Sequence, residues 1–172
     1  MTFVDLDFRT QSTSLSRDNV MAMLQNYNFF SKDLNENGQD FKHIFKVRTI
    51  KDDNVIFDRA SDLIWQQGGS PESVNYATAK KYVTELNQKS YGGYHDWRLP
   101  TMEEAMSLME PKKKRNNLYI DSIFDATQHW IWTFDQVQGA SRAAWVVSFY
   151  LGHCYWGIFD YYDNYVRAVR SG

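Results

Sequence analysis

The sequence predicts an α+β domain in which two amphipathic helices brace small antiparallel sheets built largely from the C-terminal half. Tyr76, Ala79, Val83 and Leu86 recur at helical spacing, giving a helix over about 74–88. A second helix, over about 102–109, opens at Thr101 in TMEEAMSLM, where Thr101 and Glu104 can cap one another reciprocally. Beyond residue 128 the runs HWIWTF, RAAWVVSFY and YVRAVR read as strands. The 172 residues, 43% hydrophobic, suffice for one domain with its own core.

Each element has a local reason. Ser16 precedes RDNVMAMLQNYNFF, where Val20, Met23, Leu24 and Tyr27 fall on one face, so a short capped helix is expected in an accessory segment over 1–50. SKDLNENGQD is rich in residues that tolerate turns, and alternating FKHIFKVRTI after it reads as a strand. Val55–Phe57 and Leu63–Trp65, split by a polar turn, read as a hairpin. No repeat interrupts 51–172, which is taken as the main domain.

Charge and composition exclude several function classes. Nineteen Lys and Arg against twenty-one Asp and Glu supply no general positive field for nucleic acid. No apolar run approaches the ~20 residues that cross a bilayer, and the N-terminus lacks a basic segment followed by an apolar one, so cytoplasm is the default compartment. Cys154 is the only cysteine, which excludes an internal disulfide and a cysteine-rich metal site.

Candidate sites outside the C-terminus are weak. Asp33-x-Asn35-x-Asn37-Gly38 imitates a calcium loop, but the twelfth position is Ile44, not a bidentate Glu, so an Asn/Gly turn is expected and no metal. His43, His95, His129 and His153 stand at no ligand spacing. Lys112–Arg115 reads as a solvated loop. His153 and Cys154 are neighbours, yet successive strand residues face opposite ways, and no flanking motif supports a catalytic triad.

The last 25 residues differ in kind. Residues 148–172 hold five of the eleven tyrosines but no Lys, Glu, Gln or Met, types that fill 31 of the preceding 147 positions. Tyrosine offers a large stiff amphipathic face with few torsions to freeze, and Ser, Asn, Asp and His add adaptable hydrogen bonds, so this mix suits a binding surface. The alternation of Trp145, Val147 and Phe149 with Ser148 and Tyr150 predicts a strand with one buried and one displayed face.

The ordered motifs DLIWQQ, YATAKKYVTELN, YGGYHDWRLPTMEEAMSLM, IFDATQHWIWT, AAWVVSF and YVRAVRSG resemble the Lcl C-terminal-like domain family. More narrowly, the chain resembles the variable proteins of diversity-generating retroelements. The resemblance, over about 50–172, implies a C-type-lectin-like fold of the formylglycine-generating-enzyme type. It also implies a variable region over about 145–172, rewritten at adenines by an error-prone reverse transcriptase. Asn codons varied in this way cannot become Lys, Glu, Gln, Met or Trp, which matches the depletion above. Carried over by position, the displayed residues are Ser148, Tyr150, Leu151, His153, Tyr155, Gly157, Ile158, Asp160, Tyr161, Tyr162 and Asp163. Cys154, Phe159 and Asn164 are reachable from the same codons. Trp156 is not, and is expected at a fixed position, as are Phe149 and Gly152.

The resemblance thus implies a non-enzymatic receptor-like or adhesin-like module without catalytic residue or cofactor, binding a protein first and a glycan second. Trp65, Trp97, Trp130, Trp132 and Trp145 would be scaffold, and Arg98 would anchor its loop through backbone carbonyls. Two alternatives stand beside it. One is a formylglycine-generating or related oxygen-using enzyme, although enzymes of the former kind use a pair of cysteines. The other is an assembly domain of a phage or cell-surface tip.

Overall fold

The computed structural model of the chain describes residues 7–172; residues 1–6, part of the expected accessory segment, lie outside the described residues. The elements are β1 (Ser14–Leu15), α1 (Arg17–Tyr27), β2 (Phe45–Ile50), β3 (Asp53–Asp58), β4 (Leu63–Gln66), α2 (Tyr76–Gln88), α3 (Met102–Ser107), β5 (Trp130–Val137), β6 (Ala143–Ser148), β7 (His153–Ile158) and β8 (Val169–Ser171). The helix starts follow their capping chemistry. Ser16 accepts from the Asn19 amide while the Asn19 side chain accepts from the Ser16 amide, and Thr101 and Glu104 make the same reciprocal pair at α3. Asn28 ends α1 in the left-handed conformation that asparagine tolerates.

The expected small sheets are present, but their strands are not drawn largely from the C-terminal half, since β1 to β4 all precede residue 67. Two four-stranded sheets form, in the orders β1-β5-β6-β7 and β2-β3-β4-β8. The hairpin read from Val55 to Trp65 is β3 and β4, and the C-terminal β8 adds antiparallel to β4. Of YVRAVR only Val169 and Arg170 are strand, in β8, which runs on to Ser171. β1 pairs parallel with β5, a contact between residues more than a hundred positions apart that no local pattern announces. The irregular string 153–158 is a full strand, β7, at the edge of its sheet.

β6 also departs from expectation. All six of its residues are buried, so neither face is displayed. Trp145 and Val147 enter a core shared with α1, α3 and the N-terminal residues Phe8, Phe29 and Phe30, while Ala144 and Val146 enter a second core around Trp132 and Tyr76. A strand covered on both faces carries apolar residues at successive positions, as AAWVV does.

Charged groups tie residues 9–13 to this core. The Arg9 guanidinium forks onto Asp135, at 2.7 and 2.6 Å, and also reaches Glu103. Asp135, fully buried, further accepts from the amides of Thr13 and Met102. The His43 ring lies between the Asp58 carboxylate (2.6 Å) and the Ser107 carbonyl (2.8 Å). Asn35, from the calcium-like motif, donates its side-chain amide to the carbonyls of Leu24 and Phe29 and so fastens the turn after α1. Arg98 is corrected as well: its guanidinium forks onto the fully buried Glu104 at 2.7 and 2.6 Å, with only a long contact to the Leu99 carbonyl. Four of the five predicted scaffold tryptophans, Trp65, Trp97, Trp132 and Trp145, are buried, and Trp130 is half-buried.

Candidate functional site

The C-terminal segment folds as β6, a tight turn, the edge strand β7 and a loop returning to the core. The backbone of the first turn is held by groups outside it. Tyr119 N–H donates to the Phe149 carbonyl, both Phe149 and Tyr150 amides donate to the His129 carbonyl, and Lys32 N–H donates to the Gly152 carbonyl. Gly152 has φ +79°, and a Cβ there would sit 3.0 Å from the Tyr119 ring, so this position requires glycine. Phe149 is fully buried. Phe149 and Gly152, two of the three residues expected to be fixed, therefore have structural reasons to be so.

The second loop is held partly by the end of its own strand and partly by groups outside it. The Tyr161 and Tyr162 amides donate to the Ile158 carbonyl, Asn164 and Val74 exchange backbone hydrogen bonds, and Tyr165 N–H donates to the Trp130 carbonyl. In neither turn do these backbone bonds involve the exposed side chains.

The predicted display residues separate into three groups. Tyr150, Leu151, Asp160, Tyr161, Tyr162 and Asp163 are exposed, with Tyr161 at 83%. His153, Tyr155 and Ile158 are half-buried, as is Phe159, which stacks on Tyr76 at 4.2 Å. Ser148 and Gly157 are buried, which corrects their reading as displayed. The Ser148 hydroxyl accepts from the Leu151 amide inside the turn, and a Cβ on Gly157 would lie 2.9 Å from the Trp132 ring. Of the less certain residues, Cys154 and Asn164 are buried, and Asn164 accepts from the Tyr155 hydroxyl at 3.0 Å. Trp156, expected to be fixed, is 50% exposed.

Display thus falls on the turns at the two ends of β7, roughly 16 Å apart for a six-residue strand, with Trp156 between them. Sequence reading missed the neighbours of these turns. Lys113 Nζ lies 5.3 Å from the Tyr150 ring and 5.6 Å from the Tyr119 ring, and Trp130 packs edge-on against Tyr150. Arg142 holds Asp160 at 2.6 Å and covers Phe159. The Lys112–Arg115 run was the only visible signal for the first of these; nothing local marked Arg142.

The other concave regions differ in character. A cleft of about 550 Å³ is lined by polar groups of β3, β4 and the 66–71 and 125–128 loops. Several of these already bond within the protein: Gln66 donates to the Tyr82 hydroxyl, Gln67 to the Ile123 carbonyl and Gln128 to the Ser70 carbonyl. Behind it Arg167, wholly buried, donates to the carbonyls of Gly68 and Asp125 and packs over Phe124; burial pulls its pKa down to about 9. A smaller cleft of about 190 Å³ lies beside Trp156, with Cys154 at its floor. Burial pushes the Cys154 thiol up to about 12, so it is a neutral thiol and not a nucleophilic thiolate at neutral pH.

The profile of the Lcl C-terminal domain matches residues 54–170, which is more than half of the chain, and the chain belongs to that family. Its few helices and two small sheets fit the C-type-lectin-like fold of such variable-protein domains. No protein of curated function matches the sequence.

Proposed function

We propose that this member of the Lcl C-terminal domain family is a non-enzymatic ligand-binding module, receptor-like or adhesin-like, whose C-terminal surface is diversified by a retroelement. The ligand surface consists of Tyr150, Leu151, His153, Asp160, Tyr161, Tyr162 and Asp163, with Tyr155, Ile158 and Phe159 half-buried beneath. One observation carries the reading: the backbone bonds that shape these turns are made by main-chain groups and the buried Ser148 hydroxyl, not by the exposed side chains, so those side chains can change without removing what shapes the turn. The depletion of Lys, Glu, Gln and Met over 148–172 supports diversification from Asn codons.

A protein is the first choice of ligand, because exposed tyrosines beside small polar residues give large rigid contact area at low entropic cost. A glycan is second. An oxygen-using enzyme is disfavoured by the burial and raised pKa of Cys154.

The test lies in the DNA. A near-copy of codons 145–172 beside a reverse transcriptase gene, differing from the gene at adenines only, is the expected result. Differences scattered over all four bases, or no copy at all, would overturn diversification and leave a binding domain of fixed sequence.

A further inference from the structure

Resting on the reading above, the small cleft beside Trp156 has an unusual composition. It is lined by Arg17 and Asp33–Leu34 from the N-terminal segment, by Trp145 of β6, and by Cys154–Trp156 of β7. Arg17, Asp33 and Leu34 lie outside both the variable region and the matched family segment. Trp145 is buried in the core, and Trp156 cannot arise from a varied Asn codon. Most of the cleft is therefore constant, although it adjoins a surface that changes. A constant subsite within a variable surface suits a chemical group common to many ligands, not the feature that distinguishes one ligand from another.

We propose that this cleft is a constant anchoring subsite that takes one cationic side chain, arginine or lysine, of a protein ligand. The volume, about 190 Å³, suits a single side chain. Trp145 and Trp156 are cross-strand partners, so their rings leave the same face of the sheet. Trp145 is buried with its indole N–H donated to the Leu15 carbonyl, whereas Trp156 is half-exposed and free to offer a π face. Tryptophan faces attract cations and not anions. Asp33 supplies the counter-charge: one of its oxygens accepts from the Ser31 hydroxyl at 2.8 Å, which leaves the other for a ligand.

Arg17 is the opposing charge and sets the discrimination. Arg17 lowers the affinity for a cation, while the Trp156 face and the second Asp33 oxygen on the same cleft favour one.

The experiment uses the intact chain and N-acetyl-arginine amide as probe, with N-acetyl-glutamate amide and N-acetyl-leucine amide in parallel. The readout is the indole N–H resonance of Trp156, assigned by Trp156→Phe. The expected result is a saturable shift with the arginine probe only, weakened about two- to fivefold by Asp33→Asn and strengthened by Arg17→Gln; because Trp156→Ala removes the reporter, that variant is read by titration calorimetry, where the binding heat of the arginine probe is expected to be nearly lost. Saturable binding of the glutamate probe, with the Asp33 and Arg17 effects exchanged, would overturn the cationic assignment. Binding of the leucine probe alone would make the cleft a plain apolar pocket, and no saturable shift at all would remove the subsite. None of these failures touches the adenine pattern in the DNA, so the subsite and the diversification reading fall separately.

Discussion

Exchange of Tyr150, Leu151, Tyr161 and Tyr162 together for Ser is expected to leave a cooperatively folded protein that costs no more than one scaffold tryptophan. Tyr161 is 83% exposed and the other three about half exposed, at 50, 45 and 48%. Full burial of such a side chain is worth roughly 1.5–3 kcal/mol, so each half-exposed residue withdraws about 1 kcal/mol and Tyr161 a few tenths. The cation–π contact of Tyr150 with Lys113 adds about 0.5 kcal/mol. The sum, about 3–4 kcal/mol, is an upper bound, because the unfolded chain already hides part of this surface. Trp145→Ala alone removes a 3% exposed indole and its hydrogen bond to Leu15, a loss of about 3–5 kcal/mol. Urea denaturation of both variants followed by circular dichroism makes the comparison, with an unchanged slope expected for the quadruple variant. Loss of its cooperative transition, or a cost clearly above that of Trp145→Ala, would refute the division between displayed turns and supporting core.

Further outcomes follow from single groups. Arg98→Ala leaves the fully buried Glu104 carboxylate without its bidentate partner and is expected to cost about 3–5 kcal/mol in chemical denaturation, with Arg98→Lys recovering only part because an ammonium cannot fork. Gly157→Val forces a side chain against the Trp132 ring and is expected to destabilise by about 1–3 kcal/mol, whereas Asp160→Val, in the turn just beyond β7, stays within about 1 kcal/mol in the same assay. Burial raises the Asp58 carboxyl, but hydrogen bonds from His43, Ser61 and the Ile44 amide outweigh it and hold its pKa below the ordinary carboxylate value. A depressed acid contributes stability above its unfolded pKa and loses it as the pH falls through the folded one. Thermal melts of the wild type should therefore fall off below about pH 4, and Asp58→Asn should flatten that acid limb while lowering the melting temperature at neutral pH.

Local chemistry was legible wherever the cause was local. The caps at Ser16 and Thr101, the amphipathic face of α2 and the β3–β4 hairpin follow from side chains a few residues apart, and the structure has all of them. The composition of residues 148–172 marked that segment without any alignment. The buried state of Ser148 and Gly157 was not legible, because it depends on Trp132 and on a turn closed by distant backbone groups. The same holds for Arg98: the residue type announced an anchor, while the partner, six residues on in a capping box, emerged only when the loop folded back.

The sequence by itself determined the helices and their caps, most of the strand runs, the family to which the chain belongs and the distinct composition of residues 148–172. All of these are recorded in spacing or composition. Tertiary structure alone decided how the strands divide between two sheets, that β6 is covered on both faces, that exposure falls on the turns flanking β7, and that Arg17 and Asp33 stand beside Trp156. The physical reason is sequence separation. Burial and sheet pairing are properties of what packs opposite a residue, and here the opposing groups are commonly a hundred or more residues away, as with Leu15 and Trp145.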